Sequence, residues 1–380
     1  TDKKLGGSNF FTYKDFMLDY FGEHDEMNLL MRPHPLMFDN FISTGEMTAD
    51  EVEKYKTEGN SIKNIAFDDQ KEYAATFWNS DVLIADYSSI VPEYFLTEKP
   101  LIFCATNMEL TLLDNMKDIL ENGVWDTDYP VRPHWADGAP AHTIKKFGIV
   151  NRYDLQEELP ILTIRRTAFK SCLDELLWIW QKKSNNVHDL HSHIWDSWAD
   201  ETGSIGKAYG YQLAKKSIYP EGEFDQVDRV LFDLKNNPHS RRIMTNIYNF
   251  EDLHEMHLYP CAYSMTFNVS GDKLNGILNQ RSNDMLTANN WNVLQYSLLL
   301  MMFAQVSGLK PGILLHVISD AHIYDRHIDI VKEVIAKPEH PAPKLIINPN
   351  IKSFYDFKVE DFELVDYEFE TLDKKIPVAI

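Results

Sequence analysis

The sequence predicts an α/β protein built in two parts, and three patterns carry that expectation. Between Asn28 and Cys104, short apolar runs (Leu29 to Met31, Val82 to Ala85, Pro100 to Cys104) alternate with polar, helix-compatible segments. That is the texture of strands and helices in an α/β layer. From about Asn107 the texture changes to longer helical and β-forming segments, which places a boundary near residue 106 and divides the chain into residues 1–106 and 107–380. Within the second part, Tyr263 to Val269 and Leu274 to Asn279 are β-forming runs joined by Ser270-Gly271-Asp272-Lys273, a hairpin signal.

The elements of the second part follow in order. Leu110 to Gly123 reads as an amphipathic helix stopped by its glycine, and Phe169 to Lys183 as a second helix with apolar positions at helical spacing. Arg242 to Tyr248 reads as a strand before the hairpin. After it come a helix from Trp291 to Val306, a strand from Ile313 to Ile318, a helix from Asp325 to Lys337 and a final strand near Pro377. No repeat, low-complexity segment or Gly/Ser/Pro-rich linker interrupts the order.

Composition bounds the function. A chain of 380 residues that is 44% hydrophobic and 25% charged can bury more than one core. Its net charge of -21 opposes non-specific binding to DNA or anionic membranes, so any anionic ligand must meet a local basic cluster. Three cysteines make no disulfide framework and fit a reducing cytoplasm. The longest apolar stretch, Tyr296 to Val306, is too short to span a bilayer and reads as a buried helix. The polar opening Thr1-Asp2-Lys3-Lys4 carries no secretory signal, and without an initiator Met it reads as a fragment or a processed chain.

Cys261 lies in Leu258-Tyr259-Pro260-Cys261, just before the hairpin. Taken alone it is a small apolar residue as readily as a nucleophile. Its context adds Ser240-Arg241-Arg242 upstream and Gln280-Arg281-Ser282-Asn283-Asp284 downstream, so the hairpin can bring a cation beside the thiol and favour thiolate. The same arginines and serine can assemble charge-assisted bonds to a phosphate dianion, or can serve as surface salt bridges. His322 and Tyr324 stand two apart on an extended segment, hence on one face, where they suit a sugar hydroxyl.

In order and spacing these pieces resemble thymidylate synthase over roughly residues 107–380. The carriers are Asp174-Glu175-Leu176-Leu177-Trp178, Ile194 to Glu201, Ala208-Tyr209-Gly210, Ser240-Arg241-Arg242, Pro260-Cys261, Gln280 to Asp284, Asn292, Asp320 to Tyr324 and Pro377 to Ile380. Leu177 to Gln181 and Asp225 to Asp228 look most like the Bacillus-type branch. The resemblance implies a large mixed β-sheet packed by helices, and reductive methylation of dUMP to dTMP with 5,10-methylenetetrahydrofolate and no metal. Cys261 thiolate would add to C6 of dUMP, making C5 an enolate-like carbon that attacks the folate methylene. Proton removal and hydride transfer would then give dTMP and dihydrofolate.

The resemblance also assigns roles. Arg281 and Ser282 would bind the phosphate in their own subunit, while Arg241 and Arg242 would cross a two-fold interface of a homodimer. Asn292 would read O4 and N3 of uracil, and His322 and Tyr324 would hold the ribose. Glu175 would organise the proton-moving water network and Tyr209 would sit near the C5 proton. Asp284, assigned to both ligands, would line the folate side with Trp195, and the Ile380 carboxylate would close over them. For Glu175 a solvent-facing helix position, and for Trp195 and Trp198 a plain core role, stand as alternatives.

The sequence departs from the family pattern in two places. After Asp284 the usual Leu-Gly pair and Pro-Phe give way to Met285-Leu286-Thr287-Ala288-Asn289-Asn290-Trp291, which bears on folate affinity. The early loop of the family carries a phosphate-binding Arg, but in Asp137 to Thr143 no Arg aligns, and Arg132 is the nearest.

Residues 8 to about 104 resemble the donor-nucleotide half of CDP-glycerol glycerophosphotransferases, a partial Rossmann-like fragment of a two-lobed (GT-B) glycosyltransferase. The carriers are Met31-Arg32-Pro33-His34-Pro35, Ala85-Asp86-Tyr87-Ser88-Ser89 with Glu93-Tyr94, and Lys99 to Phe103. His34 could act on a phosphate, with Asp86, Ser88 and Ser89 near a diphosphate, or it could be an ordinary loop histidine. The acceptor lobe expected before residue 8 is absent and the rest of the donor lobe after Phe103 gives way to the next helix, so this stretch is expected to be a fusion or assembly remnant. Two readings compete with an active synthase: glycerophosphotransferase activity in the first part, and a dUMP-binding dimer with impaired folate chemistry.

Overall fold

The computed structural model describes residues 10–68, 74–85, 94, 97, 99, 101–103 and 108–379. They divide into two compact units, Thr1–Asn107 and Met108–Ile380.

In the first unit, helix α1 (Phe10–Glu23) precedes β1 (Leu29–Met31), and α2 (Met37–Thr44) and α3 (Ala49–Ser61) lead into β2 (Ile65–Phe67). A capping box starts α3, in which the Thr48 hydroxyl accepts from the Glu51 N–H and the Glu51 carboxylate accepts from the Thr48 N–H. The strand β1 pairs in parallel with β2. Leu18, Phe21, Phe38, Phe41, Val52, Tyr55 and Ile65 form the core of these elements. Further on, α4 (Ala74–Asn79) is followed by β3 (Leu83–Ala85), which pairs in parallel with β4 (Leu101–Phe103). The three expected strands of this stretch are therefore present.

The second unit is built on a mixed sheet. The helix α5 (Met108–Asn122) leads to β5 (Val124–Trp125) and β6 (Thr143–Asp154), and α6 (Phe169–Trp180) follows. A short helix α7 (Gly210–Ala214), the ribbon β7 (Ser217–Tyr219) and β8 (Gly222–Phe224), and α8 (Gln226–Asn236) precede β9 (Met244–Asn246). The hairpin is β10 (Ala262–Ser270) and β11 (Lys273–Gln280), with Gly271 at φ +62 in its two-residue turn, where an L side chain would be strained. Then come β12 (Asn283–Asp284), α9 (Asn289–Val306), β13 (Lys310–Tyr324), α10 (Ile328–Ile335), β14 (Lys344–Ile347) and β15 (Phe362–Val365).

The main sheet runs β5-β6-β13-β11-β10-β9, with β12 also on β13. The contact between β11 and β13 is parallel, whereas β10 is antiparallel to both β11 and β9. The apolar helix α9 is buried on nearly every side, from Val293 through Ala304, and packs with α6 and the inner sheet face. Each such side chain contributes roughly 1.5–3 kcal/mol on burial.

Three expectations are corrected. No strand forms near Pro377; that backbone is tied instead by the His327 imidazole, which bonds the Pro377 carbonyl at 2.8 Å. The strand expected from Ile313 to Ile318 extends from Lys310 to Tyr324, because β6 supplies an antiparallel partner along that length. The helix expected from Asp325 opens with a 3-10 turn (Asp325–His327) before α10.

Candidate active site

The hairpin register creates the centre of the site. Ala262 lies opposite Gln280, and one step outward the Arg281 N–H donates to the Cys261 carbonyl at 2.9 Å. Cross-strand neighbours sit close enough for their side chains to meet. The Arg281 guanidinium accordingly comes within 3.9 Å of Cys261 Sγ. Two of its nitrogens are already used, Nε donating to the Pro260 carbonyl at 3.0 Å and Nη2 to the Tyr259 carbonyl at 2.8 Å. These bonds fix the guanidinium against the segment that carries the thiol. Burial pushes the Cys261 thiol above its ordinary value, while the charges of Arg281 and Arg132 pull it back toward thiolate.

Arg132 is the residue that local sequence comparison did not place. It stands on an exposed loop whose Trp135 is buried, with the indole N–H donating to Asp325 Oδ1 at 3.0 Å. The Trp135 ring also packs edge-on to Tyr324, with centroids 5.7 Å apart. This anchoring brings the Arg132 charge into range of both Cys261 and Tyr324. Arg241 and Arg242, by contrast, are exposed in the turn before β9, and neither has a carboxylate partner among the described residues.

Tyr209 approaches from the other side, its hydroxyl accepting the Cys261 N–H at 3.4 Å. Its backbone is held at φ 44, an uncommon conformation for a non-glycine residue. Gly210, next in the chain, leaves no room for a side chain, since a Cβ there would meet the Ser184 carbonyl at 2.2 Å. That contact explains Ala208-Tyr209-Gly210 as a device for presenting the Tyr209 ring.

Glu175 does not face solvent. It is buried in α6, a helix whose faces are almost all apolar. Its Oε1 accepts from the Trp195 indole at 2.6 Å, and Oε2 accepts from the Gln295 amide at 2.9 Å and from the Trp291 indole. Burial raises its pKa, and the three donors work against that rise. Trp195 is thus both buried and hydrogen-bonded, with Tyr209 packed on it at 5.0 Å between centroids.

Asn292, in the first turn of α9, is oriented by a buried relay. Its Oδ1 accepts from Gln280 Nε2 at 2.8 Å and, at 3.5 Å, from Asn283 Nδ2. The Gln280 side-chain oxygen Oε1 in turn meets His316 Nε2 at 2.8 Å. Burial pushes His316 down to about 3, so the ring is neutral and Nε2–H is the donor to Gln280. Neither Gln280 nor His316 was assigned a role from sequence. A histidine inside a central strand was the available signal.

The His316 shift makes a testable statement about acid stability. Its folded pKa lies below the ordinary 6.5, so its contribution is present above 6.5 and lost as pH falls from 6.5 toward 3. The urea midpoint of the protein is expected to fall over that window, and to fall less steeply in His316→Gln, which retains a donor for Gln280.

On β13, His322 and Tyr324 share a face with ring centroids 5.2 Å apart. His322 Nδ1 meets Asp320 Oδ1 at 2.8 Å, leaving Nε2 directed away from that partner. Asp284 caps its own turn: Oδ1 accepts from the Leu286 and Thr287 N–H groups at 2.9 and 3.1 Å, and Oδ2 accepts from the Thr287 hydroxyl at 2.5 Å. Thr287, within the segment that departs from the family pattern, therefore folds onto the carboxylate. Ser282 is half-buried beside Arg281, its carbonyl accepting from Gln280 at 3.1 Å.

Residues 111–380 match the family model for thymidylate synthase. The chain belongs to the thymidylate synthase family. It is a methyltransferase of that family, similar to the thymidylate synthase of Bacillus subtilis subsp. natto, 46% identical over 258 residues that cover 67% of this chain and 92% of the relative. The thymidylate synthase of Bacillus phage phi3T is also 46% identical over 258 residues, with the same coverage of both chains. The solved structure of thermostable thymidylate synthase A from Bacillus subtilis matches with a TM-score of 0.69 at 43% identity, covering 72% of this chain and 100% of that one.

Residues 8–110 match the family model for CDP-glycerol:poly(glycerophosphate) glycerophosphotransferase. Of the residues singled out there, His34 is exposed in the turn after β1, its Nδ1 accepting from the Leu36 N–H at 3.2 Å. Asp86, Ser88 and Ser89 lie outside the described residues, as does Ile380 at the other end of the chain. Among the described residues no group of three or more His, Cys, Asp or Glu is placed to hold a metal ion, and no helix is long and apolar enough to cross a membrane.

Proposed function

We propose that the second unit converts dUMP to dTMP with 5,10-methylenetetrahydrofolate as co-substrate, using Cys261 as nucleophile. The observation that carries this reading is the Cys261 thiol held 3.9 Å from a guanidinium that is itself clamped to the preceding backbone. Thiolate attack on C6 of the uracil ring turns C5 into a carbon nucleophile. Arg281 favours that thiolate. The Asn292 amide, fixed by Gln280, offers its –NH2 to O4 of uracil. Tyr209, against the Cys261 backbone, handles the proton at C5, and the buried Glu175 carboxylate holds or releases a proton on the folate side.

The residues present fit a folate. Asp284 offers a carboxylate acceptor to a pterin's N–H groups, and Trp198 and Trp291 each keep a partly exposed ring for stacking. Trp195 supports this side through Glu175. When bound, the folate supplies the one-carbon unit and the hydride.

For the phosphate, Arg281 Nη1 has no partner among the described residues, and Ser282 and Arg132 add a hydroxyl and a second cation from the same subunit. Arg132 takes the part of the early-loop arginine. Arg132→Ala is expected to raise KM for dUMP about 10- to 100-fold, the worth of one charge-assisted bond, with little change toward deoxyuridine, which lacks the phosphate. Steady-state kinetics with dUMP and with deoxyuridine checks this.

Arg241 and Arg242 reach a second subunit's phosphate in a homodimer. Their exposure without carboxylate partners supports this, as does the outward sheet face bearing Thr266, Asn268, Ile277, Ile313 and Leu315 in a shallow concavity. The enzyme works in the cytoplasm, where Cys261 stays reduced. Spectrophotometric formation of dihydrofolate from dUMP and methylenetetrahydrofolate tests the whole reading. Tight dUMP binding with no dihydrofolate would leave a binding protein whose folate side has failed.

A further inference from the structure

A carboxylate buried without a cation is expensive, and Glu175 has none: no ion pair reaches it among the described residues. Its charge is held by three neutral donors alone, the indoles of Trp195 and Trp291 and the amide of Gln295. Trp291 stands where the family pattern has phenylalanine, whose ring carries no N–H. The substitution is thus a gain of one donor aimed at Oε2. Its own position is secured from the opposite helix, since the Cys172 thiol lies 3.6 Å from the Trp291 carbonyl. Trp291 also precedes Asn292 in the same turn of α9, so one turn presents both the uracil-reading amide and the donor to Glu175.

We propose that Trp291 is a positioning residue, whose indole N–H orients the Glu175 carboxylate and holds it ionised for the proton transfers of the reaction. The proposal rests on the reading of Glu175 given above. The other titratable groups around the carboxylate are Asp174 beside it in α6, Cys172 one turn earlier, Tyr209, and Tyr296 on α9. Asp174 is itself held by His191 Nδ1 at 2.9 Å, and the remaining three are neutral groups raised by burial. None of them donates to the carboxylate in the structure.

Trp291→Phe restores the family's ring and removes the N–H along with the five-membered half of the indole. Infrared titration of the folded protein, with the carboxylic-acid band assigned by its loss in Glu175→Gln, is expected to show Glu175 protonating about one to two pH units higher in Trp291→Phe. The corresponding limb of the kcat profile should move by the same amount, with KM for dUMP unchanged because Gln280 and Asn283 still hold Asn292. An infrared titration that does not move overturns the proposal, as does a kcat lowered equally at every pH. Full activity in Glu175→Gln would instead overturn the assignment of proton chemistry to Glu175, leaving the infrared shift to judge Trp291. If Trp291→Phe does not fold, the indole ¹⁵N–H resonance of Trp291 in the parent protein gives the same test: it should follow the Glu175 titration and lose that step in Glu175→Gln.

Discussion

Replacing Cys261 with alanine is expected to lower kcat by about 10⁴-fold or more while the protein stays folded and still binds dUMP. The size follows from the chemistry, because C5 of uracil is inert until a nucleophile saturates C6, and the described site offers no second thiol to do so. Cys172 is buried in the core behind Trp291 and its thiol is pushed well above its ordinary value. The fold should tolerate the change, since Cys261 is only partly buried and its backbone bonds to Arg281 and Tyr209 do not use the side chain. Thermal unfolding, a dUMP titration and the dihydrofolate assay on the same preparation separate these outcomes.

The second large effect is expected at Asn292. In Asn292→Asp, one carboxylate oxygen can still accept from Gln280 and Asn283, so the relay from His316 persists. The other oxygen replaces an –NH2 donor with an acceptor and meets O4 of uracil, another acceptor. Leaving such a group unmatched in a closed site costs several kcal/mol, so kcat/KM for dUMP should fall about 10³-fold. The 4-amino group of dCMP is a donor and would now be matched. Competition between dUMP and dCMP for the variant should therefore reverse in favour of dCMP.

The parts of this site that were legible in the sequence are those fixed by local pattern. The hairpin runs and Gly271 set the pairing of β10 with β11, but that register by itself would put Ser282 opposite Cys261; a β-bulge between Ala262 and Ser264 shifts it by one residue and brings Arg281 there. His322 and Tyr324 share a face because strands alternate. What stayed hidden depends on tertiary placement. Glu175 was open to a solvent-facing reading, although a helix apolar on almost all sides, Phe169–Trp180, can only bury the carboxylate it carries. Local pattern did not match Arg132 to the family's early-loop arginine, and the anchoring of Trp135 to Asp325 is what brings it to the site. The strands β6, β14 and β15 were missed for a different reason. The burial along β6 is irregular, with the exposed Gly148 turning at φ +78 in its middle, and β14 and β15 are four residues each.

The central claim is a covalent bond between Cys261 and C6 of the nucleotide, and 5-fluoro-dUMP tests it most directly. A fluorine at C5 cannot leave as a proton does, so the bond formed at C6 should persist once methylenetetrahydrofolate is present. After denaturation and proteolysis, mass spectrometry is expected to find the nucleotide on the peptide that contains Cys261, and to find none in Cys261→Ala. Nucleotide that binds the folded protein yet leaves every peptide unmodified, or that marks a different residue, would contradict the account.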